Sequence, residues 1–367
     1  MYILGINLSH HASLCLLEDG KNIFYLEYDR ISGKKEQEFC LNDPIEPLED
    51  ILKYTNHVDY LIFSSFGKNR RYPNSDASLI EYIKSKLNEH NITVGEIHFY
   101  NEHHLYHATH AFYSCNFDEA AVLVLDGGGV QYNDYIINRE MESMYYFSNI
   151  GYNIVKKNYG SSDLFCSDKP EKHRENIIFS SSLSCGGLFN SLTNISTIEA
   201  GKLMGLSSYG NSSKIESGDW FNYSEECDVW FTNNREILDC YIKYFDNVHL
   251  DNLAFGHSQF RHFGDESRMY QVIANLAKKL QDETKNHTIR LIREILEKTG
   301  SKNLVLSGGY MLNCVNNYEY LKEFPDINFY VDPISHDGGT CMGAAKYLWH
   351  CVLRNEKRDI LETLYLG

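Results

Sequence analysis

Two stretches of this chain open in the same way, and that repetition limits the possible fold more than any other feature of the sequence. In the first, Tyr2–Leu8, Ala12–Leu17 and Asn22–Tyr28 read as three consecutive strands, with Glu18-Asp19-Gly20 as a hairpin turn. In the second, the apolar run Ala120–Leu125 ends in Asp126-Gly127-Gly128-Gly129, and Asp134–Asn138 and Met144–Asn149 read as the next two strands. The first trio leads to a helix near 45–55, a strand Tyr60–Ser64, a helix Asp76–Glu89, a strand Glu96–Tyr100 and a helix beginning at His103. The second leads through 155–180, a polar stretch expected to be a loop, to helices in Ser182–Leu192 and Ile198–Gly210. A long apolar periodicity follows over Ser267–Lys298, one helix or a broken pair. Then come a strand Asn303–Leu306, a helix from about Met311, a strand Ile327–Val331 and a last helix Thr340–Arg354. Two copies of strand-turn-strand-strand followed by helices imply an internal duplication, with halves at about 1–115 and 116–350 and a short tail. The fold predicted from that order is α/β, of the duplicated actin and sugar-kinase type, with a ligand in the central cleft. Fold analogy alone does not fix a function.

Composition narrows the classes. The chain has 367 residues, 43% of them hydrophobic and 23% charged, as in ordinary globular proteins. No apolar run approaches the ~18 residues of a membrane span. The opening Met1–Asn7 lacks the basic and apolar regions of a signal peptide, so the expected location is the cytoplasm. A formal charge of -16 argues against non-specific adhesion to nucleic acid or anionic membranes. The 10 cysteines are scattered singly with no CxxC pair, which speaks for buried thiols in a reducing compartment and against a four-cysteine zinc site.

Chemistry concentrates in a few turns. His103 and His107 are four apart, so they project from one helix face. Asp126 adds a carboxylate at the end of an apolar strand, and imidazole with carboxylate suits zinc or iron(II). Gly127 and Gly128 would let a ligand approach the backbone closely. A zinc-protease arrangement is ruled out, because His104 stands where that chemistry needs glutamate. Asp337-Gly338-Gly339 repeats the Asp-Gly pattern, although either aspartate alone serves equally as a turn or helix cap. Ser307-Gly308-Gly309 ahead of a helix suits a phosphate, or simply a tight turn. Lys202, within Gly201-Lys202-Leu203-Met204-Gly205, would add a positive charge. His10, in the first turn, is a candidate general base or a structural histidine.

Together these residues resemble the NodU/CmcH/TobZ carbamoyltransferase family, specifically its N-terminal domain, which is similar to TsaD-type threonylcarbamoyl transferases. The ordered matches are Gly5-Ile6-Asn7 with His10 and Ser13, Glu27 with Arg30 and Lys34, and His103-His104-Leu105-x-His107-Ala108. They continue through Leu125-Asp126-Gly127, Glu199 with Gly201-Lys202-x-Met204-Gly205-Leu206, and Tyr209-Gly210. Ser307-Gly308-Gly309 with Leu312-Asn313-Cys314, and Asp337-x-Gly339 with Gly343-Ala344-Ala345, complete the set. The resemblance implies a divalent metal (iron(II), zinc or magnesium) held by His103, His107, Asp126 and Asp337. It implies a nucleotide near Gly127, Gly128, Lys202, Gly308, Gly309 and Asn313. It further implies transfer of a carbamoyl group from carbamoyl-adenylate, made from carbamoyl phosphate and ATP, to a hydroxyl of a sugar-like metabolite or a hydroxymethylated nucleobase. In that scheme nucleic acid enters only as a modified-base acceptor. A threonylcarbamoyl transferase of tRNA and a non-catalytic nucleotide-binding subunit are the alternatives. Three departures stand out: His11 replaces the family's usual aspartate, Val130 replaces an acidic residue, and the YrdC-like domain that usually follows is absent from these 367 residues. The chain is therefore expected to act as a transferase half served by a separate YrdC-like protein or another carbamoyl donor.

Overall fold

Short apolar runs produce strands in both halves of the computed structural model, which describes residues 1–38, 48–65, 75–132, 139–149, 151–161, 164, 169–245 and 266–366, without the side chains of 75–79 and 266–268. The first sheet has five strands: β1 (Tyr2–Asn7), β2 (Ser13–Glu18), β3 (Lys21–Glu27), β4 (His57–Ser65) and β5 (Thr93–Phe99), in the order β3-β2-β1-β4-β5. β1, β2 and β3 are an antiparallel meander, whereas β4 and β5 run parallel to β1. The β2–β3 turn uses Asp19 and Gly20, both with positive φ (47° and 83°), the backbone of a tight hairpin. Helices α1 (Asp29–Ser32), α2 (Leu48–Ile51) and α3 (Ser75–Glu89) belong to this half. Leu4, Ile6, Leu14, Leu16 and Phe63 turn toward Leu48, Ile51, Ile83 and Leu87 on one face of the sheet. Ile3, Cys15, Leu17 and Ile62 face the other way.

After α4 (His103–Ser114) comes a seven-stranded sheet of order β14-β13-β6-β7-β8-β10-β9. Its strands are β6 (Glu119–Leu125), β7 (Arg139–Ser148), β8 (Gly151–Gly160), β9 (Glu171–Arg174), β10 (Ile177–Phe179), β13 (Asn303–Ser307) and β14 (Asn328–Val331). The run β8-β7-β6-β13-β14 repeats β3-β2-β1-β4-β5 in order and in strand direction. A separate hairpin pairs β11 (Phe221–Ser224) with β12 (Val229–Thr232). The helices of this half are α5 (Cys185–Ser196), α6 (Ala200–Leu206), α7 (Asn234–Tyr244), α8 (Glu266–Thr299), α9 (Cys314–Glu323) and α10 (Thr340–Lys346). The apolar run over 267–298 is thus one unbroken helix. None of the described helices is long and apolar enough to cross a membrane.

Two expectations need correction. The stretch 155–180 is no loop: it supplies most of β8 and all of β9 and β10. Its strand pattern is hidden because three consecutive polar residues are buried there with partners. Lys156 pairs with Glu294 at 2.6 Å, Lys157 with Glu140 at 2.6 Å, and Asn158 with Glu142 at 2.9 Å. Consequently the second strand trio is β6, β7 and β8, and Met144–Asn149 is only the latter part of β7. The predicted strand Asp134–Asn138 lies outside the described residues.

The two halves exchange a helix. α4, last in the first half, lays Leu105, Ala108, Ala111 and Phe112 on Val122, Val124, Tyr145 and Val305 of the second sheet. α10, near the chain's end, lays Cys341, Met342, Ala344 and Ala345 on Ile3, Cys15, Leu17 and Ile62 of the first. The two helices pack on each other, with Thr109 Oγ1 donating to the Gly343 carbonyl at 2.8 Å. The turns after β1, β6 and β13 meet at this junction, at the carboxyl ends of parallel-paired strands, where open α/β sheets bind ligands.

Candidate metal centre

Every residue of α4 is buried, so its histidines are interior groups rather than surface ones. His103 and His107 sit one turn apart with their Nε2 atoms 3.2 Å from each other. β6 delivers Asp126, whose Oδ2 is 3.1 Å from His103 Nε2. The turn after β14 delivers Asp337, whose Oδ1 lies 3.5 Å from both His103 Nε2 and His107 Nε2. These four residues can each offer one atom to a common ion. Ligand atoms ~2.0–2.2 Å from one cation lie about 3.0–3.6 Å apart, so the spacing and the donor set both fit a divalent ion. A second buried grouping, Glu142, Cys185 and His287, differs. There His287 Nε2 approaches Glu142 Oε1 to 2.5 Å, the spacing of a hydrogen bond rather than of two ligands on one ion.

Electrostatics point the same way. Burial pushes the His103 imidazole down, but Asp337 and Asp126 overcome it and lift the group to about 9. Burial opposes ionisation of Asp126 as well, yet His103 and His107 hold it well below the carboxylate range. Asp337 is lowered against burial by His103. Two ionised carboxylates against one imidazolium leave a net negative charge, which a divalent cation would neutralise as it displaced the His103 proton.

Neighbouring turns fix these ligands. Asn7 Nδ2 donates to the His10, His11 and Asp337 carbonyls at 3.0, 3.1 and 3.2 Å, stitching the first turn to the Asp337 turn. Ser13 Oγ donates to the Gly338 carbonyl at 2.8 Å. His11 stacks on His336 with ring centroids 4.4 Å apart, and His336 Nε2 is 3.4 Å from Glu27. His10 lies at the rim, its side chain 47% exposed and 3.9 Å from Glu36. Gly308 has φ +96°, and a Cβ there would overlap the Leu125 carbonyl, so only glycine fits. The Gly309 N–H donates to Asp126 Oδ1 at 3.0 Å. That donor is therefore committed to a candidate metal ligand instead of standing open to a phosphate.

The other expected nucleotide contacts divide. Gly127 and Gly128 follow Asp126 directly, and a Cβ at Gly128 would meet only Arg139 Cδ at 3.8 Å and the Glu140 carbonyl at 4.0 Å. Lys202 is on the exposed side of α6, 3.2 Å from Glu199, which also lies 3.8 Å from Lys35 of the first half. Asn313 is enclosed and its amide is committed. It accepts the Asn316 N–H at the start of α9 and exchanges hydrogen bonds with Gln281 at 2.8 and 3.0 Å. These bonds make Asn313 a residue that shapes the turn ahead of α9.

Sequence reading also missed a buried polar shell. Glu140 accepts the His104 N–H at 3.2 Å and pairs with Lys157. Burial opposes its ionisation, but Lys157 and His104 hold it at about 2. His110 faces Asp332 at 3.3 Å. The only available signal was the spacing of His110, which repeats the face of His103 and His107 one turn on.

The chain is similar to several known proteins. The model of the family described as Carbamoyltransferase N-terminus matches residues 63–346. An uncharacterized protein of Synechocystis is 27% identical over 408 residues, covering 100% of this chain and 60% of the relative. Nodulation protein NolNO of Sinorhizobium fredii is 23% identical over 274 residues, covering 72% of this chain and 33% of the relative. The crystal structure of full-length HypF in its phosphate- and nucleotide-bound form superposes with a TM-score of 0.54 at 15% identity, over 96% of this chain and 56% of that one. That likeness shows the duplicated α/β fold. The chain spans 60% or less of the length of the curated relatives it matches.

Proposed function

The chain belongs to the carbamoyltransferase family through its N-terminal domain, and from that premise we propose that it transfers a carbamoyl group from carbamoyl-adenylate to an acceptor hydroxyl. The observation that carries the reading is the convergence of His103, His107, Asp126 and Asp337, with ligand atoms all within 4.8 Å of one another and 3.1 to 3.5 Å apart in the four pairs that involve His103 or join His107 to Asp337, beside the Gly127–Gly128 turn. His103, His107, Asp126 and Asp337 would hold the cation, whether iron(II), zinc or magnesium, which when bound would supply Lewis acidity to the transfer. The chain's own groups do the rest. Gly127 and Gly128 let the nucleotide phosphate approach the backbone, and Lys202 supplies a mobile positive charge at the rim. His10 takes the acceptor's proton as its oxygen bonds to the carbamoyl carbon and the bond from that carbon to the adenylate oxygen breaks. AMP leaves with the electron pair, and Glu36 beside His10 steadies the imidazolium.

Incubation with labelled carbamoyl phosphate, ATP and candidate sugars or hydroxymethylated nucleosides, with and without a YrdC-like protein, tests this. Labelled carbamate on an alcohol is expected, reduced by more than tenfold in His10→Ala. His103→Ala and Asp337→Ala should lose most bound metal. Absence of product under every combination, from protein that does bind metal, would overturn the activity.

A further inference from the structure

α4 carries a third histidine on the face of its two candidate ligands. His110 is completely enclosed, with Nε2 3.3 Å from Asp332 Oδ1 and Nδ1 3.3 Å from Ser114 Oγ. Asp332 follows β14 directly and is enclosed too. Its Oδ1 accepts the Ile334 N–H at 3.0 Å and its Oδ2 accepts Ser307 Oγ at 3.0 Å, while its own N–H donates to the Leu306 carbonyl at 3.0 Å. One carboxylate thus joins three pieces of chain. The first is α4, which bears His103 and His107. The second is the turn Ser307-Gly308-Gly309, whose Gly309 N–H holds Asp126. The third is the segment from 332 to 336 that leads into Asp337. The imidazole also backs that last turn, since a Cβ added at Gly339 would meet His110 Cδ2 at 3.0 Å.

We propose that His110 and Asp332 are a positioning pair: they contact none of the four candidate ligands, yet they set the relative placement of the elements that carry them. The proposal rests on the metal reading above. A buried histidine-carboxylate pair is seldom retained for stability alone, because apolar residues of equal volume pack as well or better. What the pair adds is placement: His110 Nε2 lies 3.3 Å from Asp332 Oδ1 without the alignment of a hydrogen bond, while Ser307 and Ile334 hold the carboxylate in position. It fixes the rotation of α4 about its axis against two turns at once, and the separations of 3.1 to 3.5 Å among the ligands depend on that rotation. Asp332 remains ionised because His110 and the Ile334 and Ser307 donors outweigh the opposing effect of burial.

Metal affinity of the full chain, with zinc, iron(II) and magnesium each competed against a chromophoric chelator, reads this directly. The melting point of the metal-free protein is measured alongside. Partners that orient ligands typically contribute ten- to hundredfold in metal affinity, and a loss of roughly that size is expected for His110→Ala and Asp332→Asn. His110→Gln, which keeps a donor near the Nε2 position, should recover most of the loss. The double variant should bind no more weakly than the worse single one, because the two residues act as a unit. Leu105→Ala, a core truncation in the same helix, should lower the melting point without a comparable loss of affinity. If His110→Ala and Asp332→Asn melt early but bind metal as tightly as the unmodified chain, the pair is packing alone and the proposal is overturned. If the unmodified chain binds none of the three ions, the metal reading itself falls, and this inference falls with it.

Discussion

At Asp126, Oδ1 accepts the Gly309 N–H at 3.0 Å while Oδ2 faces His103 at 3.1 Å, so the carboxylate is oriented by the neighbouring strand's turn before any cation enters. That arrangement was half legible in the sequence. An aspartate at the end of an apolar strand and a pair of histidines four apart are local patterns, readable without a partner. Gly309 binding Asp126, or Glu140 reaching His104, joins residues 183 and 36 positions apart, and nothing local announces either. The same limit hid the role of Gly343. The sequence offered it as part of a Gly-Ala-Ala match, whereas the structure shows a Cβ there overlapping the Tyr106 carbonyl. Gly343→Ala should push α10 off α4 and cost about 1–3 kcal/mol, read as a lower denaturant midpoint. A midpoint equal to that of the unmodified chain would show that the two helices have slack at their crossing.

Among the elements, α4 is gripped at both ends by distant parts of the chain. At its N-terminus the buried Glu140 carboxylate accepts the His104 N–H. At its C-terminus the Arg358 guanidinium donates to the Phe112 and Cys115 carbonyls. Negative charge at the amino end and positive charge at the carboxyl end both suit the helix dipole. Glu140→Gln weakens a buried ion pair with Lys157 as well, so it should destabilise by about 3 kcal/mol, and Arg358→Ala by about 1–2 kcal/mol. Urea denaturation of both variants checks this, and stability unchanged in either would dissociate that end of the helix from its grip. At this scale the sequence was most misleading at β8. Period-two alternation assumes that polar residues face water, and Lys156, Lys157 and Asn158 are buried instead against Glu294, Glu140 and Glu142.

For the whole molecule, one source of acid sensitivity is His350, a histidine outside the candidate metal centre. His350 stacks on Tyr113 with centroids 3.8 Å apart and donates from Nδ1 to the Asn355 carbonyl at 2.9 Å. Burial lowers it to about 4. In the unfolded chain the group titrates near 6.5. Between those values the unfolded state binds a proton that the folded state refuses, so stability falls as pH drops through that window, by at most about 3 kcal/mol. His350→Gln should flatten that part of the curve when denaturant midpoints are compared at about pH 7 and about pH 4.5. An identical pH dependence in the variant would assign the acid loss to other groups. The exchange of α4 and α10 has a consequence of another kind. Sever the chain between α4 and β6, and each piece keeps a sheet with one bare apolar face and a helix with nothing to lie on. Only the other piece, or a second copy of the same piece lending its helix in return, could cover both. In topology the two lobes are related as protomers that have traded a helix, and each sheet completes its apolar cover with a helix from the other half of the chain.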